Sequence, residues 1–366
     1  MISMHDSSAG ARLLYVGTYT ESSTQPPGHG EGIYVYRTGA EPDELELLNI
    51  AKGVANPSFL ALHPSGRFLY AVNELDEGAV SALAIEPGGG LRLVNRQPSG
   101  GSAPAHLSVD VSGRFVLVAN YASGSWGVLP VGSDGRLQPL SDLRQAAGSG
   151  PDPKRQEGPH AHFVAQLPRS HLVLGCDLGC DRLRLWRLAE PAGQLDPAPP
   201  DTWAAKPGAG PRHACFHPAL PVLYVVNELD STVDVITHEP GRLGGRQSVS
   251  CLPAGFAGES TAAEIGLHPS GRYLYVSNRG HDSIAGFQID PEAGGLTPLG
   301  WWPSGGRTPR SFALAEGGRF LYAANQDSDT IVVFETDHSS GRLTPIGQAA
   351  SAPSAVCLLF GGSAVS

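Results

Sequence analysis

The most informative stretch of the chain is residues 63–73, which reads His63-Pro64-Ser65-Gly66-Arg67-Phe68-Leu69-Tyr70-Ala71-Val72-Asn73. Its first half combines Pro, Ser and Gly, the residue types that favour a tight turn between two strands. Its second half is an apolar, β-forming run that ends on Asn. An apolar segment, Pro57 to Leu62, precedes the turn. The stretch therefore predicts a strand, a hairpin turn and a second strand.

This unit recurs along the whole chain. The apolar runs end at Thr18, Asn73, Asn120, Asp177, Asn227, Asn278 and Asn325, which are 55, 47, 57, 50, 51 and 47 residues apart. Two more β-rich segments follow the pair of strands, as at Ala79–Ile85 and Leu91–Arg96. A period near 50 residues with four strands per repeat is typical of propeller blades. We therefore predict an all-β protein, a seven-bladed β-propeller with four-stranded antiparallel blades over residues 11–366, preceded by a flexible N-terminus at residues 1–10.

The two ends of the chain predict how the ring closes. The N-terminal repeat starts at Leu13 with the second strand of a blade and lacks the first. The C-terminal segment Pro353 to Phe360 resembles the first strand of a blade, with no second strand after it. We expect the C-terminal strand to join the N-terminal blade, because closure removes the exposed edges of the end sheets.

Composition narrows the range of partners. The chain has 366 residues, 41% of them hydrophobic, and a formal net charge of −10. No basic stretch predicts a nucleic-acid partner, and no apolar run is long enough to predict a membrane span. Its five cysteines are widely spread and odd in number, which argues against a disulfide framework and favours a cytoplasmic location. The oligomeric state stays open between monomer and dimer.

Equivalent positions of the repeats form two rings around the channel of such a propeller. The first ring, five residues before each turn, comprises Ser58, Ala105, His162, Arg212, Ala263, Arg310 and Ser354. The second ring, one residue past each apolar run, comprises Tyr19, Glu74, Tyr121, Leu178, Glu228, Arg279 and Gln326. Framework positions repeat one residue type, whereas these positions vary, as expected for a site built on a rigid scaffold.

The rings predict a site for a small anionic substrate. Guanidinium groups bind phosphate or carboxylate in pairs of hydrogen bonds, and Arg212, Arg279 and Arg310 would share the channel. Glu228 and His162 are candidate proton-transfer groups, and nearby arginines would keep Glu228 ionised, as suits a base or a water-orienting group. The alternative interpretation is that these are strand-end residues in ordinary surface salt bridges. A further open question is the loop Gln145 to Gly158, which is either a rim over the channel or a surface insertion.

Several motifs carry a resemblance to a known family. They are Tyr15 to Thr20, Gly32-Ile33-Tyr34, Arg155 to His162 with its run Gly158-Pro159-His160-Ala161-His162, Gly210 to His213, Asn227-Glu228-Leu229 and Ser277 to Gly280. Together they resemble the lactonase family of seven-bladed propellers. The resemblance implies hydrolysis of a sugar-acid lactone, with 6-phosphogluconolactone the natural candidate, and no cofactor or metal. It also implies a cluster of one His, two Arg and one Glu, which matches Arg212, Glu228 and Arg279.

The family motif leaves the histidine open between His160 and His162, and the ring position favours His162. The predicted catalytic residues are thus His162, Glu228, Arg212 and Arg279. The predicted substrate-binding residues are His160, Arg310, Glu74, Tyr121, Tyr19, His213 and Gln326. Two other functions stay open: a cycloisomerase that forms a lactone from a carboxylated muconate, and a propeller that binds a partner without catalysis. No cluster at metal-ligand spacing supports a metal-dependent dehydrogenase.

Overall fold

The computed structural model describes residues 12–22, 27–239 and 242–363. Within them, 28 strands form seven four-stranded antiparallel sheets, and three short 3-10 helices span Pro87–Gly89, Glu316–Gly318 and Gln326–Ser328. The predicted seven-bladed propeller is confirmed. The segment 1–10, predicted to be flexible, lies outside the described residues.

The strands follow one another through the blades in chain order. Blade 1 contains β1 (Arg12–Thr18), β2 (Ile33–Thr38), β3 (Leu45–Ala51) and β28 (Ala355–Ser363). Blade 2 contains β4 (Leu60–Leu62), β5 (Phe68–Asn73), β6 (Ala79–Ile85) and β7 (Leu91–Pro98). Blade 3 contains β8 (Pro104–Val109), β9 (Phe115–Asn120), β10 (Ser125–Pro130) and β11 (Asp142–Gln145). Blade 4 contains β12 (Ala161–Gln166), β13 (Leu172–Asp177), β14 (Arg182–Ala189) and β15 (Gln194–Ala204).

The last three blades keep the same pattern. Blade 5 contains β16 (Pro211–Phe216), β17 (Val222–Asn227), β18 (Thr232–Glu239) and β19 (Arg242–Ser250). Blade 6 contains β20 (Thr261–Leu267), β21 (Tyr273–Arg279), β22 (Ser283–Ile289) and β23 (Leu296–Pro303). Blade 7 contains β24 (Pro309–Ala315), β25 (Phe320–Asn325), β26 (Thr330–Thr336) and β27 (Leu343–Ser351).

Closure occurs as predicted, because β28 pairs antiparallel with β1 from Arg12 opposite Ser363 to Thr18 opposite Ala355. One inner strand is shorter than expected: β4 begins at Leu60 rather than Pro57. The reason is local, since the Ser58 amide donates to the Asn56 carbonyl at 2.8 Å and the chain turns there.

The hydrophobic core consists of seven clusters, each between two neighbouring blades. The recurring Leu-Tyr pair belongs to this packing. The hydroxyls of the fully buried Tyr70, Tyr224 and Tyr275 donate to the carbonyls of Gly135, Gly294 and Gly341, which belong to the following blade, at 2.8–3.0 Å. Each tyrosine thus buries a ring and satisfies a carbonyl across the blade boundary, which explains its repetition.

The inner strands depart from regular pairing where the first ring lies. Their register shifts between Pro104 and His106, Ala161 and Phe163, Pro211 and His213, Ala262 and Ile265, and Pro309 and Ser311. The residues passed over include Ala105, His162, Arg212, Ala263 and Arg310. A β-bulge places an extra residue outside the ladder and re-aims its side chain. The bulges therefore turn first-ring side chains toward the channel.

Candidate active site

The channel opens into a cavity of about 250 Å³ that gathers most members of both rings. Its lining residues are Tyr19, Glu74, Ala105, Tyr121, Arg155, His162, Arg212, Glu228, Thr261, Arg279 and Arg310. Four come from the first ring and five from the second. Arg155 and Thr261 belong to neither ring.

A larger cavity, about 440 Å³, lies between blades 4 and 5, away from the channel. Its walls are mostly aliphatic and include Leu167, Leu185, Ala198, Pro199 and Leu243. The smaller cavity instead brings six charged side chains together. Converging charges on inner strands make the channel cavity the better candidate for chemistry.

Glu228 lies at the centre of the charged cluster. Its side chain is buried, and its Oε2 lies 2.5 Å from Nη1 of Arg212 and 3.0 Å from Nη2 of Arg279. Its other oxygen, Oε1, lies 2.5 Å from Nη2 of Arg155. Burial raises the pKa of Glu228, but these guanidinium groups outweigh it, led by Arg279 and Arg212, and hold the pKa well below its usual value. The carboxylate is therefore ionised and fully engaged.

The cavity has an excess of positive charge. Four guanidinium groups and two carboxylates line it. Burial lowers the pKa of Arg279 to about 10 despite the attraction of Glu228, so the group remains protonated near neutral pH. The lining therefore carries two uncompensated positive charges, a setting that favours a dianionic ligand.

His162 is buried beside Arg212. Its Nε2 is 2.5 Å from Nη1 of Arg212, and Arg212 also donates from Nε to the Ala263 carbonyl at 3.0 Å. Burial and then the charge of Arg212 lower the pKa of His162 well below its usual value. The imidazole is therefore neutral near pH 7, and its Nδ1 is buried without a hydrogen-bond partner among the described residues.

A second polar group occupies the side of the cavity formed by blades 1, 2 and 7. Arg310 donates from Nη2 to the Tyr19 hydroxyl at 2.8 Å, and its guanidinium lies over the Tyr19 ring. The Tyr19 hydroxyl in turn donates to Glu74, 3.1 Å from either carboxylate oxygen, and Ser58 donates to the same carboxylate. These contacts fix the Arg310 guanidinium at the cavity wall.

Arg155 reaches the cavity from the loop that lengthens the interval between blades 3 and 4. Beside its contact with Glu228, its Nη2 lies 3.3 Å from the Tyr121 hydroxyl. The next residue, Gln156, is fully buried and donates from Nε2 to the Leu178 carbonyl at 2.9 Å and to Asp181 at 2.8 Å. Counting along the repeat missed Arg155, because an insertion has no equivalent position in other blades. Its charge and the length of the loop were the available signals.

Three predicted substrate-binding residues lie outside the cavity lining. His160 stacks on the Tyr121 ring, with its Nδ1 3.1 Å from the Tyr121 carbonyl. His213 faces Glu264, with 3.0 Å between Nδ1 and Oε1. Gln326 is buried. The side chains of His160 and His213 thus contact other protein groups, and their role in substrate binding stays a prediction, as does that of Gln326.

The part of the chain that the structure describes contains no group of three or more His, Cys, Asp or Glu placed to hold a metal ion. In the same residues no helix has the length and apolarity needed to cross a membrane.

Fold and site together define a seven-bladed propeller whose channel cavity carries an excess of positive charge. The chain belongs to the lactonase family of seven-bladed β-propellers, whose family model matches residues 13–360. The resemblance inferred from the sequence motifs is thereby confirmed.

Several named proteins are similar to this chain in sequence or structure. The chain is 38% identical over 303 residues to a 6-phosphogluconolactonase of Bacillus subtilis. The aligned region covers 81% of this chain and 83% of that protein. It is 33% identical to a 6-phosphogluconolactonase of Formosa agariphila over 82% of this chain and 86% of that protein. Among solved structures, the periplasmic gluconolactonase PpgL of Pseudomonas aeruginosa superposes with a TM-score of 0.88 at 33% identity, covering 96% of this chain and 99% of that chain.

Proposed function

We propose that this protein hydrolyses 6-phospho-D-glucono-1,5-lactone to 6-phosphogluconate in the channel cavity. The observation that carries the proposal is the charge of the small cavity, in which four arginines outnumber two carboxylates and leave an excess of two positive charges. A phosphate monoester is close to a dianion at neutral pH, so the substrate supplies the missing charge. The names of the B. subtilis and F. agariphila relatives support the same reaction.

Arg155 and Arg310 bind the phosphate in this proposal. The Arg155 side chain is 38% exposed and those of Arg212 and Arg279 are 4% and 14% exposed, so Arg155 is the nearest of these three to solvent. Arg310 is held by Tyr19 on the other side of the cavity. Two guanidinium groups on opposite walls clamp the substrate with its lactone ring directed toward His162 and Arg212.

His162 is the base that activates water. Its neutral imidazole has a lone pair available on Nε2 once Arg212 turns to the substrate carbonyl. Burial, Arg212 and Arg310 all lower the pKa of His162, so a bound phosphate that neutralises Arg310 raises its basicity. The water oxygen then bonds to the lactone carbonyl carbon as His162 takes its proton, and Arg212 stabilises the oxyanion.

The intermediate collapses by breaking the bond between the carbonyl carbon and the ring oxygen. The protonated His162 returns its proton to the departing oxygen, which becomes the hydroxyl of the open-chain product. The new carboxylic acid loses its proton to solvent, so each turnover consumes one water and releases one proton. Glu228 keeps its charge throughout, holds Arg155 and Arg279 in position, and remains the counter-ion of Arg212 as that side chain turns to the carbonyl.

The location proposed for this activity is the cytoplasm. A dianionic sugar phosphate does not cross a lipid bilayer unaided, because burying its charge costs too much. All five cysteines are free thiols, as is usual in a reducing compartment.

The test is a rate measurement against spontaneous ring opening. Acid release from 6-phosphogluconolactone is followed with purified protein, with the unphosphorylated glucono-1,5-lactone as a second substrate. We expect a rate well above the uncatalysed rate and a higher kcat/KM for the phosphorylated lactone. Arg310→Gln should remove most of that preference, whereas Arg319→Gln, which alters an exposed pair with Glu335, should not.

Two results would overturn the proposal. A rate equal to spontaneous hydrolysis would reject the lactonase activity. Preference for the unphosphorylated lactone would reject the assignment of the arginines to a phosphate, and would align the protein with the gluconolactonase activity named for the P. aeruginosa structure.

A further inference from the structure

The two carboxylates that line the cavity have different partners. Glu228 contacts three guanidinium groups. Glu74 takes part in none of the ion pairs between described residues. Its carboxylate instead accepts hydrogen bonds from two hydroxyls, that of Tyr19 at 3.1 Å from either oxygen and that of Ser58. Glu74 is thus a cavity carboxylate without a cation in contact, and the proposed mechanism does not use it.

The Glu74 side chain is held in place from both ends. At the backbone, its amide donates to the Asn56 carbonyl, and Asn56 Nδ2 donates to its carbonyl, each at 3.1 Å. At the carboxylate, burial raises the pKa of Tyr19, which therefore remains a phenol with a hydrogen to donate. Because the Tyr19 oxygen accepts from Arg310 at 2.8 Å, that hydrogen is directed to Glu74. The carboxylate therefore keeps a fixed position at the cavity wall.

Glu74 has acceptor capacity left over. An ionised carboxylate offers about four lone-pair sites. Its Oε2 accepts from Ser58 and shares the single hydrogen of Tyr19, whereas its Oε1 has only that shared hydrogen among the described residues. The four arginines of the lining are donors only, and both oxygens of Glu228 are occupied by guanidinium groups. Among the charged groups that line the cavity in the described part of the chain, Glu74 is therefore the one with free acceptor sites.

The proposed substrate needs such an acceptor. Its phosphate and its lactone carbonyl accept hydrogen bonds and suit the arginines. Its ring hydroxyls, on C2, C3 and C4, also donate, and a hydroxyl moved from water into a cavity loses free energy unless its hydrogen finds an acceptor. An ionised acceptor forms a stronger hydrogen bond than a neutral one. A carboxylate with free lone pairs therefore favours a hydroxylated ring over a plain one.

We propose that Glu74 binds the C4 hydroxyl of the lactone and thereby sets specificity for the gluco configuration. Arg310 binds the phosphate in the proposed function, and a single hydroxyl, that of Tyr19, separates Arg310 from Glu74. The phosphate is carried on C6, and the C4 hydroxyl is the ring hydroxyl nearest to it. The C4 epimer presents this hydroxyl on the other face of the ring, so it loses the bond to Glu74 while it keeps the phosphate. The inference rests on the proposed function in placing the phosphate at Arg310.

Binding of inert analogues tests this role without turnover. The first probe is 1,5-anhydro-D-glucitol 6-phosphate, which keeps the ring, its hydroxyls and the phosphate but has no carbonyl. The second is its C4 epimer, 1,5-anhydro-D-galactitol 6-phosphate, and the third is inorganic phosphate. Isothermal titration calorimetry gives the dissociation constants. We expect the wild-type protein to bind the glucitol phosphate at least tenfold more tightly than its C4 epimer.

The decisive variant is Glu74→Gln. Tyr19 and Ser58 both donate to Oε2, so the single amide oxygen takes that place and its two lone pairs are used there. The free acceptor sites disappear together with the charge. We expect the preference for the glucitol phosphate over its C4 epimer to fall below threefold. Affinity for inorganic phosphate should be maintained or increased, because the variant removes a negative charge near Arg310.

The matched control is Glu77→Gln, an exposed change in the same loop between β5 and β6. It should leave the preference between the epimers at its wild-type value. If Glu74→Gln does not fold, Glu74→Asp serves instead, because it keeps the charge and withdraws the carboxylate by one methylene group. That variant should lose the same preference while its affinity for inorganic phosphate is unchanged.

The three ligands separate the ways in which the two proposals can fail. Equal affinity of the wild type for both epimers, or an unchanged preference in Glu74→Gln, would overturn the role of Glu74 and leave the lactonase proposal standing. Equal loss of affinity for all three ligands in Glu74→Gln would show a structural role only and would also overturn the inference. An epimer preference that depends on Glu74, in a protein without lactonase activity, would support the inference and reject the proposed function.

Discussion

Glu228 is the residue on which the electrostatics of the channel depend, because one carboxylate balances three guanidinium groups. Its replacement therefore affects more than one contact. A buried charge left without its partner is costly, and arginines freed from Glu228 would lose the geometry that binds the substrate.

The first prediction concerns Glu228→Gln. We expect the free energy of unfolding to fall by about 3–5 kcal/mol and kcat/KM to fall on the order of 10²-fold. Urea unfolding and lactonase kinetics measure the two effects. Glu335→Gln, which removes an exposed partner of Arg319, should leave both the free energy of unfolding and kcat/KM close to their wild-type values. A fully active Glu228→Gln variant would contradict the assigned role.

The second prediction concerns pH. Burial lowers the pKa values of His106, His162 and His213 below the usual value of 6.5. Between pH 6.5 and these lower values the unfolded chain binds protons that the native protein does not. Native stability is therefore full above pH 6.5 and falls as the pH decreases, by about 1.4 kcal/mol per pH unit for each such histidine.

Unfolding by urea at pH 7.5, 6.5, 6.0 and 5.5 checks this dependence. His106→Gln should have a shallower slope than the wild type, since one titrating group is removed. Equal stability at pH 7.5 and 5.5 would show that these histidines protonate freely in the native state.

Among the structural elements, the inner strands show how far sequence reasoning reaches. His162, Arg212 and Arg310 occupy equivalent positions of three repeats, which predicted that they share one level of the channel. The structure brings them to one cavity. The prediction succeeded because every blade has the same backbone conformation, so residues at the same position of each repeat lie at the same level of the channel. It could not foresee the bulge at each of these positions, which depends on pairing with the next strand.

His213 shows what the repeat pattern alone cannot predict. His213 follows Arg212 and was predicted to bind substrate, yet it contacts Glu264. A one-residue step along a strand reverses the direction of a side chain, so motif adjacency alone cannot assign a function. The direction of His213 depends on β20, which is about fifty residues further along the chain.

The loop that carries Arg155 gives the third prediction. Gln156 ties this loop to Leu178 and Asp181. We expect Gln156→Ala to raise KM about five- to tenfold with kcat nearly unchanged, because it releases an arginine that binds substrate rather than one that acts on the carbonyl. Lys154→Ala, an exposed change in the same loop, is the control. A large fall in kcat at constant KM would assign Arg155 a catalytic role instead.

For the molecule as a whole, stability depends on closing the ring. The pairing of β28 with β1 completes blade 1 and its contacts with blades 2 and 7. Without β28, the channel-side edge of β1 would be unpaired.

The fourth prediction is that deletion of residues 353–366 lowers the midpoint of thermal unfolding sharply and promotes aggregation. Differential scanning calorimetry and light scattering detect the two changes. Deletion of residues 364–366, which follow the end of β28, should have little effect. An unchanged midpoint for the longer deletion would reject closure as a source of stability.

The same pairing sets an order of events during synthesis. Thr18 pairs with Ala355, so at 5–20 residues per second β1 leaves the ribosome on the order of 20–70 s before its partner exists. During translation blade 1 can contain only three of its four strands. The ring therefore closes only after β28 has been made, and the channel acquires its complete wall in that one step rather than blade by blade.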